Sequence, residues 1–197
     1  MTREELDELH YITPISNVPS ILEYGLLSHK GVSKLSHQSV AMSEIQDRRR
    51  KVVVPNARPL HEYVNLYICA RNPMLSKRQA EHHTLCVLRV SPTVLDIPGV
   101  VIADRNASSD YARFAAAPRG LALVDRELVF AEWWKHPDDL IEEWRHKSIK
   151  CAEVLVPDHV AASYITGAYV SGTTGQTAFL AVAAGLAVTL NSYMFFR

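Results

Sequence analysis

Lys150-Cys151-Ala152-Glu153-Val154-Leu155-Val156-Pro157 reads as a strand that Pro157 stops. Ala152, Val154 and Val156 share one face, and Glu153 and Leu155 share the other. A carboxylate in the middle of an apolar strand is costly to bury unless it is paired. Two readings of Glu153 follow. It lies on a solvated edge or pairs with a structural arginine, or it is a catalytic carboxylate on a rigid strand beside a cleft. A partner stands upstream in Gln46-Asp47-Arg48-Arg49-Arg50-Lys51. An arginine that clamps an anion and a glutamate that polarises a sugar hydroxyl form a minimal kit for nucleotide–sugar chemistry.

The chain has 197 residues, enough for one domain, 1–197, with a sizeable core. Hydrophobic residues make up 48% and charged residues 21%, a globular composition that argues against disorder along the chain. The formal net charge is zero, so no global electrostatic case for nucleic acid exists. The charge is polarised, however. Residues 28–78 hold ten Lys/Arg against three acids, which permits an anionic ligand on one side; a solvated basic face is the alternative. Three widely spaced cysteines, Cys69, Cys86 and Cys151, argue against a disulfide framework and fit a reducing cytoplasm. His82-His83-Thr84-Leu85-Cys86 has metal-binding residue types without a second ligand pair at zinc spacing, so no metal is expected. The polar N-terminus is not a signal peptide, and the apolar run 178–190 is too short to span a bilayer.

Outward from the Glu153 strand, residues 9–13 predict a strand ended by Pro14. A short helix follows, with Ser16 or Asn17 as cap, Pro19 in its first turn and Gly25 as its stop. Residues 28–43 read as a loop covering a site, and Ser43 opens a helix through the arginine run. At about 100° per residue, Arg48, Arg49 and Arg50 cannot all point one way, which lets one face inward while its neighbours stay wet. Residues 60–68 and 85–90 predict strands, with further β structure over 94–97 and 99–102. The polar stretch 104–110 predicts the cap of a helix holding Tyr111 and Phe114, and Asp138 or Asp139 opens another. Residues 167–170 predict a strand, Thr173 or Thr174 starts a helix that stops near Gly185, and 186–190 and 193–196 predict closing β structure. The irregular spacing and the lack of a Gly-rich dinucleotide fingerprint point to an α/β (α+β) chain around a mixed sheet rather than a doubly wound fold.

Four stretches together resemble the DarT family of bacterial toxins, ADP-ribosyltransferases that modify bases in single-stranded DNA. They are Tyr11-Ile12-Thr13 with Asn17, Ile21, Leu22 and Gly25; Ile45-Gln46-Asp47-Arg48-Arg49; Leu60-His61-Glu62-Tyr63-Val64 through Tyr67 to Pro73-Met74-Leu75; and Ala152-Glu153-Val154-Leu155-Val156. The resemblance covers essentially the whole chain. It implies an ADP-ribosyltransferase-like fold with a split mixed sheet around an NAD cleft. It also implies NAD as co-substrate, Glu153 and Arg49 as the catalytic pair, and Tyr11, Thr13 and Arg49 as NAD contacts. The implied setting is a cytoplasmic toxin–antitoxin pair, with no membrane association and an antitoxin that has ADP-ribosyl-hydrolase activity.

The chemistry suits these residues. Breaking the bond to the positively charged nicotinamide leaves an oxocarbenium-like ribose. A glutamate hydrogen-bonded to the ribose 2′-hydroxyl binds more strongly as that charge develops, and it can take a proton from the attacking base. Arg48, Arg50 and Lys51 are candidate DNA phosphate contacts, and Tyr63 and Tyr67 candidate stacking surfaces, with core packing the alternative for the tyrosines. Three departures mark a divergent branch: Tyr11 stands where the family has His, Asn65-Leu66 replaces Pro-Phe, and Asn106 replaces a His after Asp104-Arg105. His10 cannot substitute for the missing His, because a one-residue shift on a strand reverses the face. Thymine and guanine are both open as target bases. The alternatives are transfer to RNA or protein by the same fold, or a non-enzymatic nucleic-acid-binding module.

Overall fold

A computed structural model describes residues 1–32, 37–39 and 43–197, with only the backbone of Ser43. The described residues form ten strands and seven α-helices. The first half contains β1 (Leu9–Pro14), α1 (Val18–Tyr24), β2 (Leu26–Leu27), α2 (His29–Val32), α3 (Ser43–Lys51), β3 (Tyr63–Tyr67), α4 (Pro73–Lys77) and β4 (Leu85–Val90). The second contains β5 (Val101–Ala103), β6 (Phe114–Ala116), α5 (Arg126–Phe130), α6 (Leu140–Ile149), β7 (Glu153–Pro157), β8 (His159–Val160), β9 (Ile165–Val170), α7 (Thr173–Val182) and β10 (Val188–Leu190).

Eight strands form one sheet in the order β10-β9-β4-β1-β3-β7-β5-β6, and β2 pairs with β8 separately. Among the described residues only the β10–β9 pairing is parallel, so the sheet is mixed. Its seam lies between β1 and β3. β1 pairs with β4 at six positions but with β3 at one, His10↔Tyr67. Strands joined at a single point are free to diverge on either side of it, and this split opens the cleft that carries the site.

β7 behaves as its sequence predicts. Val154 and Val156 join Ala152 in the main core, while Leu155 joins a smaller cluster with Leu60, Tyr63 and Ala103. Burying each such aliphatic side chain stabilises by roughly 1.5–3 kcal/mol, which is why a strand buried on both faces keeps so fixed a position. Gly25 ends α1 at φ 77°, and a Cβ there would come within 2.4 Å of the Val160 carbonyl oxygen. Only glycine therefore allows α1 to turn directly into β2.

Several expectations are corrected. Residues 60–62 form a 3-10 turn rather than strand, so β3 begins at Tyr63; the turn follows from Pro59 and the chain reversal beneath α3. Residues 92–96 likewise form a 3-10 turn, opened by Ser91 capping Thr93. The polar stretch 104–110 caps no helix. Asp104 instead accepts from the Arg113 backbone, closing a loop that leads into β6. Residues 193–196 turn rather than extend, and within the expected 28–43 loop His29–Val32 is helical. Of that loop, residues 33–36 and 40–42 lie outside the described residues. Asn17 precedes α1 but does not cap it: its amide donates to Thr13 Oγ1 at 3.2 Å and to the Gln38 carbonyl at 2.8 Å. Asp139 caps α6, as its sequence predicts.

Candidate active site

Glu153 is 1% exposed and occupies the first position of β7. It is paired in register with Tyr67 of β3 on one side and Ala103 of β5 on the other. Its carboxylate has two partners. Arg49 Nη1 lies 3.1 Å from Oε1 and 3.0 Å from Oε2, and the Ala107 backbone N–H donates to Oε1 at 3.2 Å. Arg49 is itself 6% exposed. Desolvating one charge without the other would cost several kcal/mol, so each is held in place by its partner. A single guanidinium nitrogen bridges both carboxylate oxygens, so the remaining nitrogens are not committed to Glu153. Such a fork can still engage phosphate.

The pair lies in the wall of a cavity of about 1040 Å³. Tyr11 and Thr13 of β1 line it, as do Arg48, Arg49 and Lys51 of α3. Arg50 does not. It is exposed, and among the described residues it pairs with Asp47, at 3.6 Å. Among the described side chains of α3, Arg49 alone is buried, while Arg48 and Lys51 reach the cavity from exposed positions. Tyr67 lines the cavity opposite Glu153; burial, and then the charge of Glu153, push its phenol well above the usual range. Burial also raises the Tyr11 phenol. Both are neutral hydroxyls at any physiological pH. Cys151, two residues before Glu153, is pushed up to about 12 by burial and then by that carboxylate, so it is an inert thiol.

Tyr63 lies in the cavity wall but is buried, packed in the small cluster with Leu60, Ala103 and Leu155. Two of the exposed aromatic rings at the cavity are Tyr111 and Trp144, 80% and 65% exposed, with Lys147 also in the lining; Tyr24 of α1 is a third. The sequence reading missed all three. It also missed the Ala107 N–H, because a backbone donor leaves no mark on residue type. The nearest signal was Asp104, whose carboxylate gathers Arg105 at 3.0 Å and Arg113 at 2.8 Å. Burial raises that carboxyl, but the hydrogen bonds from Arg105 and Arg113 outweigh it and leave it lowered. The resulting anchor presents Ala107 to Glu153. Among the described residues, no cluster of three or more His, Cys, Asp or Glu is placed to hold a metal, and no helix is long and apolar enough to cross a membrane.

A family described as "ssDNA thymidine ADP-ribosyltransferase, DarT" matches residues 10–189. The chain is 32% identical over 176 residues to a DNA ADP-ribosyl transferase–DNA ADP-ribosyl glycohydrolase fusion protein of Thermosipho africanus (strain H17ap60334), covering 83% of this chain and 42% of that one. It is also 32% identical over 166 residues to a DNA ADP-ribosyl transferase of Thermus sp. (strain 2.9), covering 79% and 77%. The Thermus sp. 2.9 DarT structure in complex with ADP-ribosylated ssDNA superposes with a TM-score of 0.85 at 26% identity, over 98% of both chains. The Thermosipho africanus DarTG structure in complex with ADP-ribose superposes with a TM-score of 0.83 at 28% identity, over 96% of this chain and 51% of that one. The chain thus spans about half the length, or less, of the Thermosipho protein.

Proposed function

The chain belongs to the DarT family of single-stranded DNA ADP-ribosyltransferases, and from that premise we propose that it cleaves the nicotinamide–ribose bond of NAD and transfers ADP-ribose to a base in single-stranded DNA. The observation that carries this reading is the Arg49–Glu153 contact at 3.0 Å within a cavity large enough for a dinucleotide. Glu153 accepts from the ribose 2′-hydroxyl and steadies the positive charge that develops as nicotinamide departs. It then takes the proton that the attacking base nitrogen loses. The Ala107 N–H and Arg49 aim the carboxylate, and Arg49 has nitrogens left for the pyrophosphate. Tyr11 and Thr13 contribute the opposing NAD wall. Support for NAD comes from the Thermus sp. 2.9 DarT structures with NAD+ and carba-NAD+.

Arg48 and Lys51 at the cavity, with Arg50 outside it, provide phosphate contacts, and Tyr111 and Trp144 offer stacking faces for exposed bases. Single-stranded substrate suits this design, since a paired base would have to be flipped out of its stack. Thymine is the first candidate because the family is described by thymidine; guanine is the second. We assign the protein the role of toxin in a cytoplasmic toxin–antitoxin pair. The antitoxin would be an ADP-ribosyl hydrolase, as suggested by the glycohydrolase fused in the Thermosipho relative.

The test is transfer of labelled ADP-ribose from NAD to four single-stranded oligonucleotides, each offering one base in an abasic context. Label on the thymine oligonucleotide alone is the expected result. Label on RNA or protein but on no DNA would overturn the substrate assignment. Normal activity in Arg49→Ala together with loss in Arg48→Ala would overturn the role of Arg49.

A further inference from the structure

The side chains at α6 fall into two stripes. His146 and Ile149 are buried, and so is Lys150 just past the helix end. Trp144, Lys147 and Ser148 line the cavity. Each stripe has the i, i+3, i+4 spacing of one helix face, and at about 100° per residue the two lie on nearly opposite sides. Whatever fixes the buried stripe therefore sets what α6 turns toward the cavity. His146 is 3% exposed, and both of its ring nitrogens are engaged. Nε2 lies 3.0 Å from the Leu128 carbonyl, which only accepts, so Nε2 carries the proton. Nδ1 of the neutral ring then accepts, and the His136 Nε2–H donates to it at 3.0 Å. The His136 backbone N–H also donates to the Glu143 carboxylate of α6, at 3.2 Å.

We infer that His146 is a positioning residue for the DNA side of the cavity: its imidazole, set between the Leu128 carbonyl and the His136 ring, fixes the rotation of α6 that turns Trp144 toward the cavity. The inference rests on the reading of Trp144 as a stacking face for a DNA base. α6 needs a polar support. Its ten residues make a marginal helix in isolation, and Ile149 is its one buried apolar side chain. Leu140, Ile141 and Trp144 are all exposed, so packing alone gives the helix little hold on its own rotation. The contact serves α5 as well. Leu128 and Val129 lie in the last turn of α5, where carbonyls have no partner within the helix, and His146 and Lys150 supply donors to them.

The end of α6 nearest Glu153 is held without His146. The Ser148 carbonyl accepts from the Asn106 N–H at 2.8 Å, and Lys150 donates to the Val129 and Ala131 carbonyls at 2.8 and 2.7 Å. Removing the imidazole therefore loosens the turn that carries Trp144 and leaves the approach to β7 in place. The Arg49–Glu153 pair and the Tyr11–Thr13 wall lie on other elements, so the NAD side of the cavity stays as it is. A histidine that only contributed to stability would make no such distinction between the two substrates.

The experiment measures the Kd of a labelled thymine-containing single-stranded oligonucleotide by fluorescence anisotropy, and KM for NAD by transfer, in the wild type, Trp144→Ala, His146→Ala and the double variant. Thermal melts establish that each is folded. Trp144→Ala should weaken oligonucleotide binding by about tenfold. His146→Ala should weaken it by about three- to tenfold, with KM for NAD held within about twofold. The double variant should bind about as weakly as Trp144→Ala alone, because the position of an absent ring no longer matters. Losses that multiply in the double variant overturn the coupling. Unchanged binding in folded His146→Ala, with Trp144→Ala weakened, overturns the role of His146 and leaves the stacking reading standing. Unchanged binding in Trp144→Ala overturns both. If His146→Ala does not fold, His136→Ala takes its place in the cycle. It removes the ring contact, keeps the bond to Leu128, and should weaken binding by about twofold or more; unchanged binding there overturns the inference.

Discussion

The strand that carries Glu153 and the helix that carries Arg49 meet at 3.0 Å, but they are held in different ways. β7 runs between β3 and β5 with registered pairs on both sides, and Glu153, Val154, Leu155 and Val156 are all buried. α3 has no strand beside it, and its exposed residues Glu44, Asp47, Arg48, Arg50 and Lys51 face water. The backbone of β7 would stay where it is with another side chain at position 153. The position of α3 depends on the ion pair and on the turn at 60–62, where the Leu60 N–H donates to the Val52 carbonyl just past the helix. One half of the site is therefore fixed by the core, and the other half by the site itself.

The largest expected effect tests the fixed half. Glu153→Gln keeps the shape of the carboxylate and removes its charge, so transfer should fall by about 10²–10³-fold while the fold persists, measured by labelled transfer and a thermal melt. Arg49→Ala tests the other half. It leaves the Glu153 carboxylate buried with only the Ala107 N–H, a loss of about 3–5 kcal/mol in chemical denaturation. Hydrogen exchange should then quicken in the amides of α3 and not in those of β7. Equal acceleration in both would erase the contrast drawn between them.

Lys150 sharpens the comparison from the far side. It is 1% exposed and donates to the Val129 and Ala131 carbonyls at 2.8 and 2.7 Å, tying the α5 segment to the approach into β7. Burial lowers its ammonium, against the opposing pull of Cys69 and Cys151. Lys150→Met strands two carbonyls and should cost about 1–3 kcal/mol, with the Arg49–Glu153 pair intact. Smaller effects separate the arginines of α3. Arg48→Ala and Lys51→Ala should each reduce the slope of log affinity for single-stranded DNA against log salt by about 0.7, and Arg50→Ala by less. Finally, Cys151, raised to about 12, should resist alkylation in the native protein and react on unfolding.

What was legible in the sequence follows the same division. The Glu153 strand, the 85–90 strand and the opening strand could be read because apolar alternation and a terminal proline act locally. The inward turn of one arginine was legible from helical spacing, although spacing alone could not choose which. The 60–62 turn was hidden because Leu60 and Tyr63 are as apolar as strand residues, and the chain reversal is imposed from outside by Val52 and Asp158. The 104–110 stretch has good capping residues, but Asp104 is drawn to Arg105 and Arg113 instead, and sequence cannot weigh that competition. The Ala107 donor was invisible because every residue has a backbone N–H. The seam between β1 and β3 depends on a single long-range pairing that no local pattern announces.

The central claim is that Glu153, aimed by Arg49, transfers ADP-ribose from NAD to a DNA base. The most direct test is NAD-dependent labelling of a thymine-containing single-stranded oligonucleotide by the wild type and by Glu153→Gln, with both proteins shown to be folded. The account predicts label on the oligonucleotide with the wild type and a loss of about 10²–10³-fold in the variant. Equal labelling by the two proteins would contradict it.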